Sequence, residues 1–406
     1  MCRSSAAIQM VDKQDHSLRR FQWAALGIVL LTIAIRLPSL LHPQPVDSEG
    51  IYSVVANEIV DGGRPYLDAV ERKPPLLFWT YAAVFELAGK YDWKVLHMVA
   101  LVWTLATMAG LYMIGTRLFD RNTGLIAALF YSVFQPCGRA QNIAFDGELL
   151  MNLPIVWAWA IGLRRSSARV RPELLLSGAL LGAGFLPKQP AAIAAVPLGI
   201  YPLLLSHRTS RSLVPTASVI HAAMLTTGFF GTLALVGVVL HRQGILREAI
   251  YWTITDHTIP YVFWKKGTWD WLELSERRQP LETGRYLLQH SAPNDRIFVW
   301  GQTSQVCLDA PRRPACRYIA TFPLTGYVFG GLPPGSDTRN RILPGAWATL
   351  ENFAKHPPAY IVDNQTEPGQ RYPVRDFPIL AKLLAERYQP VARTAEGVVH
   401  RTYVHP

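Results

Sequence analysis

The stretch Asp47–Gly89 reads DSEGIYSVVANEIVDGGRPYLDAVERKPPLLFWTYAAVFELAG, and the fold turns on how it meets a membrane. It follows one long apolar run, Trp23–Leu41, and precedes another, Val95–Thr116. Its last part, Pro75–Gly89, is apolar but shorter than the roughly 20 residues a spanning helix needs. If Pro75–Gly89 crosses, the Arg117–Arg121 gap falls outside, and Asp47 and Asp146 face opposite sides. If it lies in the interface, every arginine-rich gap falls inside, where Lys and Arg are enriched in membrane proteins. Asp47, Lys73, Asp146 and Lys188 then share the outer side, and Trp79, Tyr81, Tyr91 and Trp93 join an aromatic belt. The interfacial assignment satisfies more constraints.

The composition supports a membrane protein with a soluble part. The 406 residues are 50% hydrophobic and only 17% charged. Up to Leu240 the apolar residues come in blocks; after Tyr251 the sequence becomes Pro-rich, charged and mixed. Trp23–Leu41, Val95–Thr116 and Leu213–Leu240 are long enough to span. Pro190–Ser206 is marginal, and Thr123–Gln135, Leu149–Leu163 and Leu174–Leu186 need flanking residues. These runs predict an α-helical polytopic membrane bundle of about seven spans with interfacial helices, N-terminus inside. The first run is followed by Pro38 and Pro43 and lacks an A-x-A end, so it reads as an anchor rather than a cleaved signal.

The net charge of +11 does not point to nucleic acid. Lys13, Arg19 and Arg20, Arg117 and Arg121, the Arg164–Arg171 cluster, and Arg208 with Arg211 all sit in short gaps between apolar runs. Nucleic-acid binders gather such residues on one soluble face. Arg36 reads as an interfacial, snorkelling side chain. Cys307 and Cys316 flank LDAPRRPA, read as a turn between two short strands; a disulfide and two free thiols both remain open.

The expected organisation is a cytoplasmic segment at 1–21, a transmembrane region at 22–250 with its first outer loop at 42–93, an interfacial connector at 251–270, and a small α/β extracytoplasmic domain at 271–406. In the last of these, LETGRYLLQH and FPILAKLLAERY suggest helices, and DRIFVWG, AYIVD and VVHRTYV suggest strands. Trp300-Gly301-Gln302 is a loop candidate, and no phosphate-cradling glycine loop is visible.

An acidic pair, Asp47 and Glu49, just outside a membrane, followed by Lys73 at the lipid surface, suits chemistry on a lipid-linked phosphate. The competing reading is a pair of solvated loop charges and a snorkelling lysine. Asp146 and Glu148 could hold a divalent ion, or cap and charge the start of the next helix.

The pattern acid-x-E-G-x-Y, then G-x-P-Y-x-D, then K-P-P-L, resembles the first outer loop of the GT-C class of glycosyltransferases related to dolichyl-phosphate-mannose protein mannosyltransferases and to the lipid A aminoarabinose transferase. Arg117-Leu118-Phe119 with Gly124, the stretch Arg139–Glu148, and Phe185-Leu186-Pro187-Lys188 extend the similarity over roughly 20–260, with a weaker echo in the tail. The resemblance implies an inverting membrane glycosyltransferase using a polyprenyl-phosphate-linked sugar and an acceptor that is a lipid, glycan or protein on the outer face of the cell membrane. It implies Asp47 or Glu49 as catalytic base, and Lys73, Lys188, Arg139 and Tyr66 around the phosphate. In the aminoarabinose transferase a metal-ligating acid precedes the family lysine; here that position is Arg72, with Glu71 one earlier. Relatives carry further spans where Trp264-Lys265-Lys266-Gly267 runs into the tail. A partner subunit completing the carrier groove, or a shortened non-catalytic scaffold that binds a partner, are the alternatives this departure opens.

Overall fold

The computed structural model describes residues 2–43, 45, 47–136, 143–163, 171–194, 196–198, 200, 216–258, 281–301, 303–326, 342, 345–353, 355–364 and 372–403. Eight helices are labelled in its first part: α1 (Cys2–Leu41), α2 (Asp47–Val60), α3 (Pro75–Ala88), α4 (Trp93–Leu118), α5 (Arg121–Phe134), α6 (Gly147–Gly162), α7 (Glu173–Phe185) and α8 (Thr216–Arg242). The later part holds α9 (Glu282–His290), β1 (Arg296–Trp300), α10 (Thr303–Asp309), β2 (Arg313–Pro314), β3 (Tyr360–Asn364), α11 (Pro378–Arg387), β4 (Tyr388–Arg393) and β5 (Gly397–Thr402). The chain forms two compact units. The first comprises Met1–Gln44, Trp93–Leu235 and Trp271–Leu274; the second comprises Pro45–Asp92, Val236–Asp270 and Ser275–Pro406.

The first unit is helical. Among the described residues, three helical stretches are long and apolar enough to cross a membrane: Arg19–Leu41, Trp93–Leu118 and Val219–Arg242. Trp23, Val102, Phe130 and Phe230 are exposed on α1, α4, α5 and α8, as lipid-facing side chains are. Between the helices the packing is close. A Cβ on Gly178 would lie 2.1 Å from the Leu225 carbonyl oxygen, and one on Gly228 would lie 2.1 Å from that of Leu175. Small residues let the α7 and α8 backbones touch where no hydrophobic force draws helices together in lipid.

Arg36 departs from the snorkelling expectation. It is 2% exposed, and its guanidinium donates to the Gln135 Oε1 at 2.9 Å and the Ile143 carbonyl at 3.1 Å. A buried cation needs such partners, so Arg36 ties α1 to the end of α5 and the segment before α6. One turn earlier, the Thr32 and Ser132 hydroxyls meet at 2.8 Å. Arg171, expected in a solvated basic gap, donates to Glu173 at 3.0 Å and to the Gly162 carbonyl at 3.2 Å.

In the second unit, residues 45–92 and the C-terminal residues fold together. Helix α2 closes in a Schellman turn: Gly62 has φ +85°, and the Gly63 N–H reaches the Glu58 carbonyl at 2.8 Å. Pro75 opens α3 at a position where the missing N–H costs nothing. The two helices share an aromatic core. Tyr52 meets Tyr81 edge-on at 5.9 Å and Phe78 at 6.2 Å, and Tyr66 meets Phe78 at 6.0 Å. At 14 residues α3 is a short apolar helix whose Leu77, Phe78, Tyr81 and Phe85 are buried within this unit.

The sheet runs in the order β2-β1-β3-β5-β4. β2, β1 and β3 are parallel; β5 is antiparallel to β3 and β4 to β5, with an irregularity between Pro390 and Ala392. Ile297 and Val299 face a core with Leu287, Val362 and Val399. Phe298 and Trp300, one residue out of phase, meet Phe353 at 5.1 Å and Phe377 at 4.8 Å on the opposite face. Both faces of β1 are therefore covered, which is why RIFVW reads as a continuous apolar run. Cys307 lies in α10 rather than on a strand, and both Cys307 and Cys316 are free and buried, so the bridge left open by the sequence is not formed.

Candidate functional site

The second unit holds Asp47, Glu49, Tyr66 and Lys73; the first holds Asp146, Glu148 and Lys188. Arg139 lies outside the described residues. Asp47 is the first residue of α2. Glu49 is fully buried one half-turn on, and its carbonyl accepts the Ser53 hydroxyl at 2.7 Å.

Tyr66 and Lys73 are joined by a compact turn. The Asp68 carboxylate accepts the Arg64 N–H at 2.7 Å, and the Tyr66 N–H reaches the Ala69 carbonyl at 2.8 Å. That geometry puts Tyr66 at φ +68°, a left-handed conformation that non-glycine residues seldom adopt. Its fully buried ring compensates, and its hydroxyl donates to the Lys73 carbonyl at 2.8 Å. Burial, with Glu71 adding to it, pushes the Tyr66 phenol well above its ordinary range, so it stays a donor. The Lys73 N–H is held by the Glu71 carboxylate at 2.7 Å. Tyr66 thus serves the lysine's backbone, and the half-buried Lys73 ammonium forms no ion pair among the described residues. The two prolines that follow stiffen the same segment.

The first unit uses its acids differently. Asp146 caps α6, its carboxylate accepting the Leu149 N–H at 3.0 Å. Glu148 is exposed and ion-paired with Lys188. The two carboxylates have separate tasks, and no group of three or more His, Cys, Asp or Glu side chains gathers among the described residues. With Asp146 spent on the helix cap and Glu148 on Lys188, the pair does not fit a divalent-ion site.

Sequence reasoning missed how the C-terminal residues meet residues 45–92. Arg313 on β2 holds Glu58 of α2 with two nitrogens, one Nε–Oε2 contact measuring 3.2 Å, and lies 3.8 Å from Asp61. Hydrogen bonding to Glu58 raises the Arg313 pKa further, and the charge stays fixed. Lys90 closes the other side of Asp61. The Val70 N–H donates to the Arg317 carbonyl at 2.7 Å, and Val70 pairs with Tyr318 as an isolated parallel bridge. No motif marks such pairings, because the partners lie some 250 residues apart.

Residues 72–235 match the family model of dolichyl-phosphate-mannose-protein mannosyltransferases. Over that segment the chain is GT-C-type and mannosyltransferase-like. The match takes in Lys73, Asp146, Glu148 and Lys188, begins after Asp47, Glu49 and Tyr66, and covers less than half of the chain. It is narrower than the 20–260 similarity read from motifs. No curated protein matches the chain. The partial match and the three long apolar helices support a membrane glycosyltransferase in general terms.

Proposed function

We propose that the protein moves a sugar from a polyprenyl-phosphate carrier to an acceptor at the outer membrane face, with inversion at the anomeric carbon. The acceptor hydroxyl loses its proton to the Asp47 carboxylate as its oxygen attacks that carbon. The bond from the anomeric carbon to the phosphate oxygen breaks, and the carrier phosphate leaves with the electron pair. Lys73 takes up the charge that develops there. Glu49 is fully buried and out of an acceptor's reach, which favours Asp47 as the base.

The observation that carries this reading is Lys73. Its backbone is fixed by Tyr66 and Glu71, and its ammonium is without an ion pair among the described residues, at the start of the family-matched segment. The seven-span topology is supported by the grouping of the 45–92 and C-terminal residues in one compact unit, with a single long apolar helix before the first of them. Such grouping requires an even number of crossings between them, which α4, α5, α6, α7, the 190–206 run and α8 would supply. The positive-inside pattern sets that shared face outside. The alternative, a non-catalytic member that binds a partner, is favoured by one fact: after Arg242 no further helix long and apolar enough to span occurs among the described residues. Incubating the purified protein with a panel of polyprenyl-phosphate sugars and lipid acceptors separates the two. Transfer from at least one carrier is expected; inertness with all of them hands the case to the alternative.

A further inference from the structure

The segment Arg312–Arg317 carries three arginines, and two are committed to the protein. Arg312 donates to the Ser291 carbonyl and hydroxyl, each at 2.9 Å. Arg313 grips Glu58. Arg317 differs. Its guanidinium carbon stands 5.1 Å from the centroid of the Tyr318 ring, which packs in turn against the buried Trp252 at 6.3 Å. Its Nε is buried and has no hydrogen-bond partner, and it forms no ion pair with a carboxylate among the described residues. Arg317 as a whole is half-buried and also touches the Tyr318 side chain, but a buried donor atom is rarely left without an acceptor, and an anion suits a cationic one.

The backbone brings the Arg317 segment against the one that leads into Lys73. Arg317 accepts the Val70 N–H, and Val70 pairs with Tyr318. Lys73 is three residues beyond Val70, at most about 11 Å along the chain. Two long cationic side chains, each without a carboxylate among the described residues, therefore spring from adjoining, hydrogen-bonded segments. An arginine fork and a lysine point charge complement each other on a phosphate.

We propose that Arg317 joins Lys73 as a second cation on the carrier phosphate, so that the C-terminal residues complete the donor site. This rests on the reading of Lys73 given above. The test is equilibrium binding to the full-length protein in lipid nanodiscs, with undecaprenyl phosphate, undecaprenol and inorganic phosphate as probes. Wild type should prefer undecaprenyl phosphate over undecaprenol. Arg317→Gln should weaken the phosphate-bearing lipid about 10- to 100-fold and leave undecaprenol unchanged. Arg317→Lys should recover part of the loss. Equal affinity of wild type and Arg317→Gln for undecaprenyl phosphate, with Lys73→Gln weakened, overturns the role of Arg317 and leaves the transferase reading standing. No preference of wild type for the phosphate removes both. Inorganic phosphate binding as tightly as the lipid overturns the carrier assignment, and equal loss toward undecaprenol exposes a merely structural arginine. If Arg317→Gln loses its near-ultraviolet dichroism, Arg317→Lys decides: a loss of about threefold or more in a folded protein supports the proposal, and none overturns it.

Discussion

Tyr66 shows how one side chain spends stability on placing another. Its left-handed backbone costs about 1–2 kcal/mol, and its buried ring and its bond to the Lys73 carbonyl offset that. Tyr66→Phe keeps the ring and removes the donor. The expected result is a loss of about 1 kcal/mol and a several-fold higher KM for the carrier at nearly constant kcat. An unchanged KM would mean that Lys73 needs no such support. Burial pushes the Cys307 and Cys316 thiols up to about 12, so neither is a thiolate at neutral pH. Unreduced native protein should therefore resist alkylation at both, and denaturation without reductant should expose two free thiols by mass; a product two hydrogen atoms lighter, with neither alkylated, contradicts this. At this scale the sequence showed residue types well and environments poorly. Asp47, Lys73 and Asp146 stand out by motif. That Arg36 is buried, or that Glu148 holds Lys188, depends on partners distant in the chain.

At the scale of elements, helices and central strands were legible where a local pattern sufficed. LETGRYLLQH contains α9, FPILAKLLAERY contains α11, and DRIFVWG and AYIVD contain β1 and most of β3. β4 was not read, because YQPVAR has a proline and half-exposed residues and is an edge strand held by pairing with β5. Two elements depend on ionised contacts that can be tested. Glu396 accepts N–H groups of Glu282 and Thr283 at 3.2 and 3.0 Å and so caps α9 from the hairpin. Burial draws its pKa up, but these bonds outweigh it and hold the carboxyl below the ordinary glutamate value of 4.5. Its contribution is then complete above pH 4.5 and is lost as pH falls through the lower folded value. Glu396→Gln should lower stability by about 1 kcal/mol at pH 7, and the difference from wild type should vanish in acid; a gap that persists at low pH refutes the capping role. Glu58 is 7% exposed against Arg313 at 40%. Arg313→Met should cost about 2 kcal/mol, because it strands the buried carboxylate, and Arg313→Met with Glu58→Leu should recover most of it. A double variant no more stable than the single would deny the pairing its role in joining α2 to the sheet.

For the whole molecule, the interfacial reading of Pro75–Gly89 predicts that the 45–92 loop and the C-terminal residues face the same side, away from the Arg164–Arg171 loop. Single cysteines placed at exposed Asp376 and at exposed Arg64 should both react with an impermeant thiol reagent in sealed cells, and one at Arg165 should not. Reaction at Arg165 from outside overturns the topology. The apolar blocks made three span-length helices readable, Arg19–Leu41, Trp93–Leu118 and Val219–Arg242. The folding together of residues 45–92 and the C-terminal residues was hidden, since it rests on the Arg313–Glu58 grip and the Val70–Tyr318 bridge. The central claim is sugar transfer with Asp47 as the base, and its most direct test compares wild type with Asp47→Asn, using a radiolabelled polyprenyl-phosphate sugar and matched carrier binding. Wild type should transfer label, and Asp47→Asn should bind carrier as well while transferring it about 10²-fold more slowly or worse. Equal transfer rates for the two proteins would contradict the account.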